Sequence, residues 1–325
     1  MGSRGLVRAG RWRTLGYLMG QIFCIASALL FGAMAILGRF AARSGVDTST
    51  LLLLRFSIAA VLLWGIVFAR RERLPGGRDL LLLVGMGALG YAGQAFAYFS
   101  ALEHASAGLV ALLLYLHPVI VAVLARAVLG QSLRPVHLAA IALSVAGSVL
   151  TVGSATDGTV RGVAYGLAAA TVYAVYILTG SRLSKGASPV ASTTVVVTAA
   201  ATVFTLVAVV RGVQLPGSAS GWAAVIAIAV VCTVGAVALF LAGLARLGPV
   251  RATIYSTVEP VSTILLAAAV LQERVTPARA VGAALVLGGI ILLARADLER
   301  ERARASGCMP SSPRSVPGYE PPTSR

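Results

Sequence analysis

Two stretches of this chain decide its fold: LLLYLHPVIVAVLA at residues 112–125 and IYSTVEPVSTILLA at residues 254–267. They stand 142 positions apart, so that His117 aligns with Glu259, and each of the two residues is followed by a proline. Neither stretch holds a second ionisable group apart from tyrosine. The same pattern has therefore been used twice, with one ionisable group in the middle of each copy.

The repeat extends well beyond these stretches. Residues 20–150 align with residues 162–292 without a gap. The aligned pairs of identical residues include Gly38 and Gly180, Leu102 and Leu244, Pro135 and Pro277, and Gly147 and Gly289. An internal repeat in an apolar chain is typical of two-fold transporter scaffolds, whose substrate site lies where the halves meet.

The composition indicates a membrane protein. Hydrophobic residues make up 58% of the chain, charged residues only 12%, and the mean hydropathy is +0.89. An average soluble domain has about 25% charged residues. One soluble core cannot hide so many apolar segments, so the lipid bilayer is the expected environment.

The charge-bounded apolar runs predict an all-α polytopic membrane protein with ten transmembrane helices. The runs are too long for strands and lack strict alternation, which leaves helices as the spanning elements. The first run is longer than the apolar core of a signal peptide and has no convincing cleavage site. The expected spans are residues 15–37, 50–69, 80–101, 106–128, 136–153, 162–181, 190–210, 221–243, 249–271 and 278–295.

The distribution of Arg and Lys predicts the orientation. With the N-terminus inside, the cytoplasmic segments hold 20 of these residues and the outer segments 6, which satisfies the positive-inside rule with both termini cytoplasmic. The net charge of +16 then reflects membrane topology. Because the charge is spread over many short loops, no nucleic-acid partner is expected.

Five spans in each copy is an odd number, so the second copy enters the membrane in the opposite sense. The chain is therefore expected to form two inverted five-helix repeats, with the aligned ionisable residues near the bilayer midplane. The expected segments are a cytoplasmic N-tail (1–14), the first repeat (15–153), an outer connection (154–161), the second repeat (162–295), and a disordered cytoplasmic tail (296–325) that opens with a short charged, helical extension.

Glu259 is the one acidic residue deep in a span, and such residues usually face a cavity and carry function. Substrate or proton binding is one reading; a protonated carboxyl hydrogen-bonded in a helix interface is the other. Pro118 and Pro260 are expected to break their helices, because proline removes a backbone donor. Hydroxyl groups one turn from Glu259 would complete a polar stripe: Tyr255, Ser256, Ser262 and Thr263.

Two further ionisable residues lie within spans. His117 could relay protons, since imidazole titrates near neutral pH, or it could be a satisfied core residue. Arg55 could pair with an acidic substrate or with Glu259, or it could only anchor its helix at the outer interface.

Aromatic and amide side chains supply the remaining candidates. Tyr91, Gln94 and Tyr98 form one helical stripe, and Tyr165, Tyr173 and Tyr176 another. Such stripes either pack or line a ligand site. Of these residues, we expect Gln94, Tyr98, Tyr173 and Tyr176 at the binding site.

No catalytic residue, metal site or cofactor is expected. The three cysteines, Cys24, Cys232 and Cys308, have no metal-ligand spacing and form no disulfide framework. The chain contains no serine-elbow, zinc-helix or phosphate-loop motif. The sequence thus favours a protein that is not an enzyme.

The segment Tyr255 to Pro260, followed by Glu273-Arg274-Val275-Thr276-Pro277, resembles the EamA branch of the drug/metabolite transporter superfamily. Leu54-Arg55-Phe56 and Gly288-Gly289 resemble it too. The resemblance covers residues 15–295 and implies an inner-membrane carrier, often an exporter of small metabolites driven by an ion gradient. The first copy departs from the pattern, with Gln131 in the place of Glu273.

We therefore expect a bacterial inner-membrane secondary transporter, a proton-coupled exporter of a small polar metabolite such as an amino acid, working as a monomer or homodimer. One alternative is an exporter of cationic drugs, with Glu259 as the anion and tyrosines as a cage. An alternative from another class is a membrane-integral lipid-processing enzyme or assembly factor. The polar pair His117 and Glu259 lies at the midplane instead of at one membrane face, which favours transport.

Overall fold

The computed structural model describes residues 3–105, 107–152, 158–183, 188–272 and 275–305, and these ranges form helices joined by short connections. An isolated β-bridge joins Ala105 to Gly158. The helices are α1 Ser3–Arg43, α2 Thr48–Arg70, α3 Gly77–Leu102, α4 Ala107–Leu114, α5 His117–Leu129, α6 Pro135–Val152, α7 Val160–Gly180, α8 Pro189–Arg211, α9 Ala219–Leu247, α10 Pro249–Ser256, α11 Val258–Leu271 and α12 Pro277–Ala305.

The expectation of a polytopic helical membrane protein is confirmed. In the part of the chain that the structure describes, nine helical stretches are long and apolar enough to cross a membrane. A shorter apolar helix, Pro135–Leu150, lies where the fifth span was expected. Many large apolar side chains lie on the outside of the bundle, as on a lipid-facing surface; they include Val61, Leu89, Leu206, Val209 and Leu265.

The fourth and ninth spans are not continuous helices. α4 ends at Leu114 and α5 begins at His117, while α10 and α11 are separated by Thr257 alone. Each break thus lies just before the proline and not at it. Pro118 and Pro260 occupy the first turn of the following helix. Backbone N–H groups in a first turn have no acceptor within the helix, so a proline there removes no hydrogen bond.

Two π-helical segments were not expected from the sequence. Met86–Tyr91 interrupts α3 and Ile228–Gly235 interrupts α9. They begin 142 positions apart, at equivalent places of the two repeats. A π segment widens the helix locally and is frequent at functional sites.

The last helix is longer than its predicted span. α12 continues past residue 295 to Ala305, so the first part of the segment expected as tail is helical. Asp297 explains the extension: its carboxylate is 2% exposed, lies 3.0 Å from the Arg251 guanidinium and accepts a hydrogen bond from the Tyr17 hydroxyl. The rest of that tail (306–325) and part of the expected outer connection (153–157) lie outside the described residues, as does Glu273.

Equivalent helices of the two repeats pack on each other. α2 packs against α8 and α6 against α12, while α1 contacts α9 and α11 much as α7 contacts α3 and α5. The α6–α12 contact is reciprocal at two aligned glycines. A Cβ at Gly147 would lie 2.5 Å from the carbonyl oxygen of Gly282, and one at Gly289 would lie 2.9 Å from that of Ala140. Gly282 and Ala140 are themselves aligned in the repeat. The same close contact therefore occurs twice, once from the glycine of each repeat.

This contact predicts opposite effects for two neighbouring glycines. Gly289→Ala should lower the melting temperature of the purified protein, because the added methyl group meets a backbone oxygen and overpacking of this kind costs about 1–3 kcal/mol. A methyl group on Gly288 would have no atom within 4 Å. Gly288→Ala is the matched control and should be neutral or stabilising, since alanine is the better helix former. Equal melting temperatures for the two variants would contradict the close approach.

Candidate functional site

Glu259 lies in the first turn of α11, immediately after the break at Thr257. Its side chain is partly buried. Among the described residues, no group forms a hydrogen bond or ion pair with its carboxylate. Its carbonyl oxygen lies 3.1 Å from the Thr263 hydroxyl, which shares its one hydrogen between this oxygen and that of Gly32, also at 3.1 Å. A carboxylate in a fixed position without a protein partner is suited to bind a ligand.

The hydroxyls of Ser262 and Thr263, expected beside Glu259 as part of a polar stripe, serve another purpose. Ser262 donates to the Leu29 carbonyl oxygen at 3.1 Å, and Thr263 donates to that of Gly32. Both residues therefore fix α11 against α1. The approach is close, since a Cβ on Gly32 would lie 2.6 Å from the Ser262 hydroxyl oxygen.

Four tyrosine hydroxyls lie within electrostatic reach of the Glu259 carboxylate. They belong to Tyr91, Tyr98, Tyr115 and Tyr173. Three of these tyrosines come from the first repeat and Tyr173 from the second. The site is therefore built where the two repeats meet, from α3, the break after α4, α7 and α11.

The aromatic rings form a continuous row. The ring centroids of Phe56 and Tyr91 are 5.0 Å apart, those of Tyr91 and Tyr176 5.8 Å, and those of Tyr176 and Tyr173 6.2 Å. The row ends at His117, whose ring centroid is 4.8 Å from that of Tyr173. Edge-to-face and tilted contacts at these distances are favourable. The row connects the Glu259 site with His117.

His117 is 4% exposed and begins α5. Its Nδ1 lies 3.0 Å from the Leu114 carbonyl oxygen, so that Nδ1 is assigned as the protonated nitrogen. Its Nε2 is buried and has no hydrogen-bond partner within the described ranges. His117 thus borders the site through Tyr173, with an acceptor nitrogen left unused.

Arg55, in the N-terminal half of α2, is 5% exposed and does not reach the outer surface as an anchor would. Its Nε donates to the Thr233 hydroxyl oxygen and its Nη2 to the Tyr91 hydroxyl oxygen, both at 2.8 Å. The guanidinium carbon lies 4.7 Å from the Phe56 ring centroid. The ion pair with Glu259, one of the alternatives for Arg55, is not formed; the guanidinium is bonded to Tyr91 and Thr233 instead.

The other predicted residues divide into two groups. Tyr98 and Tyr173 lie at the Glu259 site, and Tyr176 packs behind it with its buried hydroxyl unpaired in the described structure. Gln94 is partly buried and has no described hydrogen bond. Ser256 donates to the Ala252 carbonyl oxygen of its own helix at 2.9 Å, so the structure does not bring its hydroxyl to Glu259.

Tyr255 belongs to a second polar cluster. It is fully buried, and its hydroxyl oxygen accepts a hydrogen bond from Gln21 at 2.6 Å. The cluster continues through Tyr17 to the ion pair of Arg251 with Asp297. It joins α1, α10 and α12 at the end of the bundle that the charge distribution assigns to the cytoplasm.

Sequence reasoning did not select Tyr91, Tyr115 and Thr233 for the site. Tyr91 was part of a recognised stripe, and Tyr115 stands two positions before His117, at the helix break. Thr233 aligns with Tyr91 in the repeat, and this is the signal that could have identified it. Among the described residues, no group of three or more His, Cys, Asp or Glu side chains is placed to hold a metal ion.

These observations define a helical membrane protein with two repeats and a carboxylate site between them. The model of the EamA-like transporter family matches the chain twice, at residues 18–153 and 160–295, and these matches are again 142 positions apart. The chain belongs to the EamA-like transporter family, which is part of the drug/metabolite transporter superfamily.

Relatives agree with this assignment. The chain is 26% identical over 280 residues to an uncharacterized transporter of Archaeoglobus fulgidus, covering 84% of this chain and 95% of that one. It is 26% identical over 276 residues to the uncharacterized transporter YcbK of Bacillus subtilis, covering 81% and 88%. A crystal structure described only as that of a protein shares the fold, with a TM-score of 0.73 at 24% identity, covering 86% of this chain and 96% of its own.

Proposed function

We propose that this protein is a proton-coupled secondary transporter that exports a small polar metabolite such as an amino acid. The observation that carries the proposal is the Glu259 carboxylate, which lies just after a helix break and has no hydrogen-bond or ion-pair partner in the described structure. Tyrosines from both repeats lie within its electrostatic reach. A carboxylate of this kind can hold a proton or the ammonium group of a substrate, but not both at once. Exchange of one for the other couples the two fluxes.

Alternating access follows from the symmetry. We propose ten membrane crossings in two inverted repeats, with α4–α5 and α10–α11 each forming one crossing. The reciprocal contact of Gly147 and Gly289 supports a two-fold relation, because each repeat presents the same surface to the other. Rocking of one repeat against the other then opens the Glu259 site to either side in turn.

A second candidate function is export of cationic drugs. The same tyrosines favour it, because an aromatic ring attracts a cation over its face, and four tyrosines around a carboxylate provide both attractions. The two candidate substrates both carry a positive charge that Glu259 would bind. They differ in the other groups that they carry.

The experiment is a counterflow assay. Purified protein is reconstituted in liposomes preloaded with each of the twenty amino acids in turn, and entry of the radiolabelled amino acid is followed. Two results together support the proposal: counterflow of at least one amino acid, and accumulation of the same amino acid in unloaded liposomes under an imposed pH gradient, which a protonophore abolishes. Accumulation of labelled tetraphenylphosphonium, with none of any amino acid, would select the drug exporter; no flux of either would refute transport of both classes.

The orientation has its own test. We propose that both termini lie in the cytoplasm, which the distribution of Arg and Lys supports, and that the protein resides in the inner membrane, as the family implies. In a Cys308→Ser background, Glu103→Cys should react with a membrane-impermeant maleimide added to intact cells, and Arg73→Cys should react only after the cells are opened. Both side chains are exposed, and Cys24 and Cys232 are buried, so the background signal is low. The reverse pattern would invert the topology.

A further inference from the structure

Arg55 makes its two hydrogen bonds to residues that the repeat aligns. Tyr91 is the last residue of the π segment in α3, and Thr233, 142 positions later, lies in the π segment of α9. One guanidinium therefore connects the equivalent π segments of the two repeats. The residue aligned with Arg55 in the second repeat is Val197, which is fully buried, so the molecule has one such connection and not a symmetric pair.

The direction of the hydrogen bonds follows from the chemistry of the groups. A guanidinium only donates, so both hydroxyl oxygens accept from Arg55. The Thr233 hydroxyl donates its own hydrogen bond to the Ile228 carbonyl oxygen at 3.0 Å. Ile228 is the first residue of the same π segment. The Tyr91 hydroxyl oxygen accepts from Arg55, so its own proton remains available for another acceptor.

We propose that Arg55 is a positioning residue: it clamps the two π segments together and holds the Tyr91 hydroxyl in place, without binding the substrate. The proposal rests on the transport function proposed above. The clamp gives the two repeats a common point of attachment. Movement of one π segment is passed to the other through one rigid, planar group, which lysine could not replace.

The clamp is tested first without any substrate, by hydrogen exchange of the purified protein in lipid nanodiscs. Arg55→Gln should accelerate amide exchange in both segments, 86–91 and 228–235, by roughly ten- to a hundredfold, because charge-assisted hydrogen bonds are lost from each. Thr233→Val should accelerate exchange in both segments, although it removes an atom from only one. Thr233→Ser keeps the hydroxyl and should behave as wild type.

The matched control is Thr202→Val, which removes an exposed hydroxyl bonded only to its own helix, at the Thr198 carbonyl oxygen. It should leave exchange in both segments unchanged. The double variant Arg55→Gln with Thr233→Val should exchange no faster than Arg55→Gln alone, since both changes open the same connection. The clamp is overturned if Thr233→Val affects residues 228–235 and leaves 86–91 at the wild-type rate.

The second arm uses counterflow of the amino acids tested above. A positioning role predicts that Arg55→Gln and Thr233→Val lower the maximal rate about tenfold, while the half-saturating concentration stays within about twofold, and that Thr233→Ser restores the rate. If Arg55 bound the substrate carboxylate itself, the half-saturating concentration would rise in Arg55→Gln alone, and the proposal would fall. If wild type moves no amino acid, the transport function fails, and the exchange data alone decide the clamp.

Discussion

Glu259→Gln should abolish transport while the protein remains folded and reaches the membrane in near-normal amounts. The amide keeps the shape of the side chain, and the carboxylate has no described polar partner whose bond would be lost. The substitution removes the negative charge, and the amide cannot exchange a proton for a cation. We expect counterflow of every amino acid to fall to the level of empty liposomes.

The matched control is Glu103→Gln, which neutralises an exposed glutamate in a connection. It should transport as wild type, because a solvated charge far from the site takes no part in the exchange. Wild-type counterflow in Glu259→Gln would show that the carboxylate is only a packing group. The site would then have to be sought around Gln94 and His117.

Tyr173→Leu should raise the half-saturating concentration by roughly tenfold, with Tyr173→Phe close to wild type. The phenylalanine keeps the ring, and a ring near a cation contributes about 0.5–2 kcal/mol through its face. The leucine keeps apolar bulk and removes the face. The measurement is counterflow over a range of amino acid concentrations.

Tyr165→Leu is the control on the same helix. Tyr165 stacks on His104, with ring centroids 6.3 Å apart, and is not among the tyrosines on which Glu259 acts. It should leave the half-saturating concentration unchanged. A Tyr173→Phe variant as impaired as Tyr173→Leu would assign the effect to the hydroxyl and would contradict recognition by the ring.

Much of this molecule could be predicted from its sequence. The repeat aligns helices whose starts lie 141 or 142 positions apart, from α2 and α8 onward, and hydropathy alone locates the apolar helices. The two π segments could not be predicted, because MGALGY and IAVVCTVG carry no local signal for a wider turn. Such a turn depends on tertiary contacts, and in this molecule Arg55 bonds to one residue of each π segment.

The site was predicted only in part, for a geometric reason. Tyr255 would stand one turn before Glu259 in a continuous helix, and the polar stripe around Glu259 depends on that continuity. The backbone at Thr257, with φ −67° and ψ −2°, interrupts the helix between them. Tyr255 therefore meets Gln21 in the second polar cluster, and the tyrosines around Glu259 come from α3, α7 and the break after α4, which no helical projection of α11 could reveal.

The central claim is that Glu259 carries the proton and the substrate in turn. The most direct measurement follows the internal pH of pyranine-loaded proteoliposomes when an amino acid that gives counterflow is added outside. Wild type should move protons out as the amino acid enters, and Glu259→Gln should give no pH change. A proton signal of wild-type size in Glu259→Gln, or amino acid entry into wild-type vesicles without any pH change, would contradict the account.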